Sequence, residues 1–126
     1  MLKQLGANYL ESCRHALSTL QSKSLAETNN WAHVDKAQVH LDWEVLYKEI
    51  AQEIDNMLPD SERAQEFIAR HCAIASRFYP AQKDAYIGLA LFYEENSDMK
   101  AYHNAYHPEM VRFLGDAICV YANAKL

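Results

Sequence analysis

Apolar residues recur three and four positions apart along almost the whole chain, whereas stretches that alternate apolar and polar residues are hard to find. This period is typical of amphipathic α-helices. The first such stripe, over residues 2–20, consists of Leu2, Leu5, Tyr9, Leu10, Cys13, Leu17 and Leu20. The polar residues that follow predict a linker over residues 22–35, in which Ser24 and Glu27 have the spacing of a capping box.

Two further helices are predicted between this linker and Pro80. Asp35 followed by Gln38 indicates a capped start, and the second helix runs through Met57 because Pro59 disfavours helical backbone before it. Its buried face consists of Val39, Trp43, Leu46, Ile50, Ile54 and Met57. Asp60 or Ser61 caps the third helix. Its apolar face consists of Ala64, Phe67, Ile68, His71, Ile74, Ala75 and Phe78.

The remaining third of the chain predicts two helices and a short helical turn. Pro80 suits the first turn of a helix through Asn96, Ser97 caps a turn over residues 98–106, and Pro108 opens the last helix. We find no internal repeat. The pattern therefore predicts an all-α fold of five to six helices, and periodicity alone does not separate an antiparallel bundle from a globin-like array.

Composition and charge narrow the function classes. The 126 residues are enough for one domain, and 12 basic against 17 acidic residues give a net charge of −5. Because no basic run is present, we expect no nucleic-acid partner. No apolar stretch is long enough to span a bilayer, so we expect no membrane partner. Three cysteines without CxxC spacing predict neither a disulfide framework nor a zinc ribbon, which favours the cytoplasm.

Motifs for catalysis and metal binding are absent. The chain has no GxSxG, no HExxH and no glycine-rich phosphate loop. His103 and His107 have helical spacing, but Pro108 pushes His107 away from helical geometry. We interpret the pair as surface or capping residues rather than as a metal site. We therefore predict a non-catalytic protein without metal or cofactor.

Aromatic residues are unusually frequent, with eight Tyr, four Phe and two Trp. Each tyrosine hydroxyl needs a partner in a dry core, so some of these residues are expected to line a groove. Gly88 lies at the centre of the densest cluster, where a neighbouring helix or a ligand must approach closely. His71, on an apolar face, is interpreted as a hydrogen-bonded core histidine, as a polar anchor in a pocket or as a haem ligand.

Four segments resemble a known family from Asp42 onward. They are DW at residues 42–43, ARHCAIASRFYP at 69–80, GLALFYEEN at 88–96 and HPEMVRFLGDAICVYA at 107–122. In this order and spacing they resemble the TipAS antibiotic-recognition domain. That domain is the ligand-binding part of MerR-type drug-responsive regulators, and it also occurs alone in albicidin-binding resistance proteins.

The resemblance implies a globin-like helical domain with a ligand cleft. By position, Trp43, His71 and Tyr93 match residues of the family pattern. Thiopeptide-binding members carry cleft cysteines where this chain has Ala81 and Gly88, so covalent thiopeptide capture is not expected. The first forty residues are too few for a DNA-binding module. Together with the aromatic clusters, the resemblance gives the candidate ligand-binding residues Trp43, Tyr47, His71, Phe78, Tyr86, Phe92 and Tyr93.

The leading hypothesis is non-catalytic binding of a hydrophobic or peptide-like small molecule, as in antibiotic sequestration or sensing. Residues 35–126 are the expected ligand-binding domain, and residues 1–34 are a helix and linker that act as a lid or dimerisation element. The alternative is a helical interaction module that forms a homodimer through the stripe of residues 2–20. Under the leading hypothesis, the aromatic helices leave an interior space that their own side chains do not fill.

Overall fold

The structure, a computed structural model, describes residues 1–126 and is entirely helical. This confirms the predicted all-α class and its globin-like, six-helix character. None of the helices has the length and apolar character that crossing a membrane requires. The helices are α1 (Ala7–Glu27), α2 (Lys36–Glu53), α3 (Glu62–Ala75), α4 (Lys83–Glu95), α5 (Ser97–Asn104) and α6 (Met110–Lys125), with short 3₁₀ helices at Leu2–Gln4 and Ile54–Asn56.

Two predicted helix starts are confirmed by their capping bonds. Asp35 Oδ1 accepts a hydrogen bond of 3.1 Å from the Gln38 amide, and Ser61 Oγ accepts one of 3.2 Å from the Ala64 amide. Each bond satisfies an amide that the first helical turn leaves without a partner. At its other end α2 is shorter than predicted, because the residues after Glu53 tighten into the 3₁₀ helix rather than continue through Met57.

Three other predicted starts are wrong by one to three residues. Pro80 and Pro108 lie in the loops before α4 and α6 rather than inside their first turns. Asn96, and not Ser97, caps α5, because Asn96 Oδ1 accepts a bond of 3.0 Å from the Met99 amide. Asn and Ser are both good caps, so local preference does not decide between neighbours.

The predicted linker is shorter than expected, because α1 continues through Glu27. Ser24 forms no capping box. Its buried hydroxyl donates to the Phe78 carbonyl and accepts from Trp31 Nε1, each over 2.9 Å, so that tertiary bonds hold this end of the helix. The turn beyond α1 contains three consecutive residues in the left-handed region, Asn29, Asn30 and Trp31, with φ of 52°, 58° and 60°.

Helix α4 lies at the centre of the fold and packs against α1, α5 and α6, while α2 packs chiefly along α3. Gly88 permits the close approach of α1 to α4. A Cβ at this position would lie 2.3 Å from the Cys13 carbonyl oxygen, which confirms the prediction that a neighbouring helix passes closely there. The division of the chain near residue 34, and the role of residues 1–34 as a lid or dimerisation element, stay predictions.

Candidate functional site

Four of the seven candidate residues surround the imidazole of a fifth, His71. The ring centroid of His71 lies 4.5 Å from Trp43, 5.7 Å from Tyr86, 5.9 Å from Tyr93 and 6.2 Å from Tyr47. Trp43 also stacks on Tyr47 at 5.6 Å with nearly parallel planes. These five residues are called the His71 cluster below.

Three helices build the His71 cluster through their periodicity. Trp43 and Tyr47 are four residues apart on α2, and Tyr86 and Tyr93 are seven apart on α4, so each pair shares one helix face. His71 lies on α3 between them. Trp43 is the outermost member and is half-buried, whereas His71 is fully buried. The spacing found in the sequence therefore places these side chains together once the three helices pack.

Phe78 and Phe92 lie apart from the His71 cluster. Phe78 follows the end of α3 and packs edge-on against Trp31, with ring centroids 4.9 Å apart. Phe92 is 39% exposed and lines a groove between α1 and α4 that also includes Gly88. Consecutive residues on a helix point about 100° apart, so Phe92 faces away when its neighbour Tyr93 points inward.

Hydrogen bonds join the tyrosine hydroxyls to two buried imidazoles. The Tyr86 hydroxyl lies 2.7 Å from His71 Nδ1, and the Tyr93 hydroxyl lies 3.4 Å from His71 Nε2. The Tyr47 hydroxyl lies 3.0 Å from Nε2 of a second histidine, His103, on α5. No buried side-chain nitrogen or oxygen lacks a partner. The polar atoms of this interior therefore satisfy one another.

His103 corrects the interpretation of residues 103 and 107 as a surface or capping pair. His103 is only 1% exposed, whereas His107 does lie near the surface, where it contacts Asp55 and accepts from the Glu109 amide. A signal was present in the sequence, because helical spacing puts His103 on the inward face of α5. That face and the turn after it consist of Met99, Tyr102, His103 and Tyr106.

Burial keeps the whole site neutral near pH 7. Loss of hydration, with a smaller effect of nearby His103, lowers the pKa of His71 to about 3. Burial also lowers the pKa of His103 and raises the pKa values of Tyr47, Tyr86 and Tyr93. The site thus offers apolar rings and neutral hydrogen-bonding groups, which suit an uncharged and partly apolar ligand.

The interior space expected from the sequence is filled, so that expectation is wrong for this conformation. Tyr47, His71, Tyr86 and Tyr93 are all at most 4% exposed. The apolar crevice beside Tyr86 offers only about 10 Å³, no more than a water molecule needs. Because the histidines satisfy the tyrosine hydroxyls, the rings can fill the interior themselves. A larger groove of about 530 Å³ runs past Phe78, between the end of α1 and the α3–α4 loop, and most of the residues that line it are polar.

The side chains of the His71 cluster lie between α2 and α4. Helix α2 is not among the helices that pack directly on α4, and the His71 cluster occupies the intervening space. Exposed ion pairs join α2 to α3 along their outer side. In each pair an arginine of α3, or of the turn that follows α3, contacts a carboxylate of α2, and the three arginines are seven residues apart. The pairs are Arg63–Glu53, Arg70–Glu49 and Arg77–Asp42.

Comparison with known proteins identifies the family. The family model of the TipAS antibiotic-recognition domain matches residues 13–121. The chain belongs to this family. The match begins within α1, well before Asp42, and so covers more of the chain than the resemblance seen in the sequence. No curated protein and no solved structure matches the chain.

The TipAS family is a family of ligand-binding domains and not of enzymes. In this TipAS domain no group of three or more His, Cys, Asp or Glu side chains is arranged to hold a metal ion. Its three cysteines, Cys13, Cys72 and Cys119, are free and buried, and burial raises the pKa of each thiol. Buried thiols of raised pKa are poor nucleophiles.

Proposed function

We propose that this TipAS domain binds a hydrophobic or peptide-like antibiotic, without transforming it, in the space that the His71 cluster occupies. The observation that carries the proposal is this cluster of neutral aromatic side chains, contributed by α2, α3 and α4, in a member of an antibiotic-recognition family. Apolar burial of the ligand would supply most of the affinity, at about 25 cal/mol per Å². The histidines and tyrosine hydroxyls would fix its orientation.

Binding requires α2 to move outward with Trp43 and Tyr47, so that the ligand takes the place of their rings. The packing supports this movement because α2 packs chiefly along α3 and is not among the helices that pack extensively on α4. The half-buried Trp43 is the member of the cluster nearest to solvent. Because only open molecules bind the ligand, the apparent affinity equals the affinity of the open state multiplied by the fraction of molecules that are open.

Biologically, such a domain would sequester a toxic compound in the cytoplasm or sense it for a protein partner. The homodimer alternative lacks comparable support. Within the stripe of residues 2–20, Leu2, Cys13 and Leu17 are buried in the structure. Because α1 packs along α4 of the same chain, the centre of this stripe already has an intramolecular partner.

Fluorescence titration tests where the ligand binds. With a panel of thiopeptides, albicidin-like compounds and hydrophobic drugs, we expect saturable quenching in Trp31→Phe, which retains Trp43. We expect none in Trp43→Phe, which retains Trp31. The two variants are matched, because each leaves one tryptophan as the reporter. Quenching confined to Trp43→Phe would place the ligand in the polar groove near Phe78 and contradict the proposed site.

Binding is expected to be non-covalent. After incubation with a thiopeptide that contains dehydroalanine, the intact mass of the folded protein should be unchanged, because all three thiols are buried and have raised pKa values. The same incubation in denaturant is the control, since it exposes the thiols and should produce adducts. An adduct on the folded protein at neutral pH would contradict this prediction.

A further inference from the structure

One carbonyl group determines which ring nitrogen of His103 donates a hydrogen bond and which accepts one. His103 Nδ1 lies 2.7 Å from the Met99 carbonyl oxygen, which can only accept a hydrogen bond. Nδ1 must therefore carry the proton. In the neutral imidazole Nε2 is then an acceptor, so the Tyr47 hydroxyl, 3.0 Å away, donates to it. The Tyr47 hydroxyl therefore uses its only proton in the hydrogen bond to His103.

Opening of the site breaks this bond and leaves His103 Nε2 without a hydrogen-bond donor. Tyr47 leaves with α2, whereas His103 stays on α5, held by its bond to Met99. His103 is 1% exposed, and its Nε2 would face the space that the Tyr47 ring had filled. A ligand that brings only apolar surface would leave this buried acceptor without a donor, which is costly.

The surroundings of Tyr47 specify the shape of the group that must replace it. The Tyr47 ring lies among other rings, with centroids 4.9 Å from His103, 5.5 Å from Tyr106 and 6.4 Å from Tyr102. The contacts to His103 and Tyr102 are edge-on. These neighbours suit a flat aromatic group that ends in a single hydrogen-bond donor, as the tyrosine side chain itself does.

We propose that the ligand carries an aromatic hydroxyl, which takes the place of the Tyr47 side chain and donates a hydrogen bond to His103 Nε2. The inference rests on the proposed function and adds the chemical class of the group that is recognised. Sites built to pair with a hydroxyl discriminate strongly against analogues that lack it, because the buried partner is left unpaired. His103 is then a specificity-determining residue that selects phenols over purely apolar rings.

Two small probes test this selectivity on the full chain. 4-Phenylphenol and biphenyl differ only by the hydroxyl, and their dissociation constants can be measured by calorimetry or by Trp43 fluorescence. We expect 4-phenylphenol to bind at least about tenfold more tightly. In a site without an acceptor the order would reverse, because the hydroxyl would lose its hydration without compensation. Equal binding, or tighter binding of biphenyl, would overturn the inference and leave the proposed function standing.

Two substitutions identify the partner of the hydroxyl. His103→Phe removes the acceptor but keeps a ring, so biphenyl should then bind at least as tightly as 4-phenylphenol. Tyr47→Phe removes the competing donor and weakens the closed state, so both probes should bind about tenfold more tightly while their ratio stays the same. His15→Phe, at an exposed position of α1, is the matched control and should change neither value.

Every outcome is decisive for the inference. A preference for 4-phenylphenol that persists in His103→Phe would show that a group other than His103 accepts the hydrogen bond of the hydroxyl, which would overturn the inference. If His103→Phe does not fold, the Tyr47→Phe result still decides, because unchanged affinities there would show that Tyr47 and the probe do not compete. Failure of both probes to bind the wild-type chain would overturn the inference, whereas the antibiotic titration above judges the proposed function separately.

Discussion

Gly88→Ala is expected to lower the free energy of unfolding by at least about 2 kcal/mol. The new Cβ would lie 2.3 Å from the Cys13 carbonyl oxygen and 2.9 Å from the Leu17 Cβ, so α1 and α4 would have to separate. Overpacking typically costs about 1–3 kcal/mol and occasionally more, and we expect the upper end of this range or beyond here because the backbone must move. The better helix propensity of alanine returns only about 1 kcal/mol.

The other two glycines provide matched controls for urea denaturation. A Cβ at Gly6 meets nothing within 4 Å, so Gly6→Ala should change stability by less than about 1 kcal/mol. A Cβ at Gly115 meets the end of the flexible Leu2 side chain at 2.9 Å, and we expect an intermediate effect. If Gly88→Ala unfolds at the same urea concentration as Gly6→Ala, the close packing of α1 on α4 is contradicted.

Acidification from pH 7 to pH 5 is expected to lower the free energy of unfolding by about 2 kcal/mol through His71 alone. Burial holds the pKa of His71 at about 3 in the folded protein, against an ordinary value of 6.5. Between these two values the unfolded chain binds a proton that the folded protein does not. The contribution of neutral His71 to the free energy of unfolding is therefore complete above about pH 6.5 and is lost as the pH falls toward 3. Burial lowers the pKa of His103 as well, which adds to the effect in the same direction.

Urea denaturation at pH 7 and pH 5 measures this linkage. In His71→Gln, which does not titrate in this range, the difference between the two pH values should shrink by about 2 kcal/mol, although the variant is less stable at both. His15→Gln, at an exposed position, should keep the wild-type difference. A His71→Gln variant with the full wild-type difference would show that His71 is not the titrating group.

The helices and most of the His71 cluster could be predicted because they depend on local features. The caps at Asp35 and Ser61 bond to amides three residues away, and Tyr86 and Tyr93 share a face through spacing alone. Boundaries were less predictable where neighbouring residues are equally good caps, as at Asn96 and Ser97. The end of α1 was missed because the Ser24 hydroxyl there donates to the carbonyl of Phe78, which lies far along the chain.

By itself, the sequence determined an all-helical fold, the faces that meet in its core and membership of a family that recognises antibiotics. Only the tertiary structure decided how the tyrosine hydroxyls are satisfied. The bond from Tyr47 to His103 joins residues 56 positions apart, and no local period encodes which imidazole a distant hydroxyl reaches. Because those partners exist within the chain, the aromatic rings fill the space in which we propose that a ligand binds. Phe92 lies apart from the His71 cluster because helix packing decided which face of α4 turns inward, whereas the helical spacing of His103 already indicated the inward face of α5.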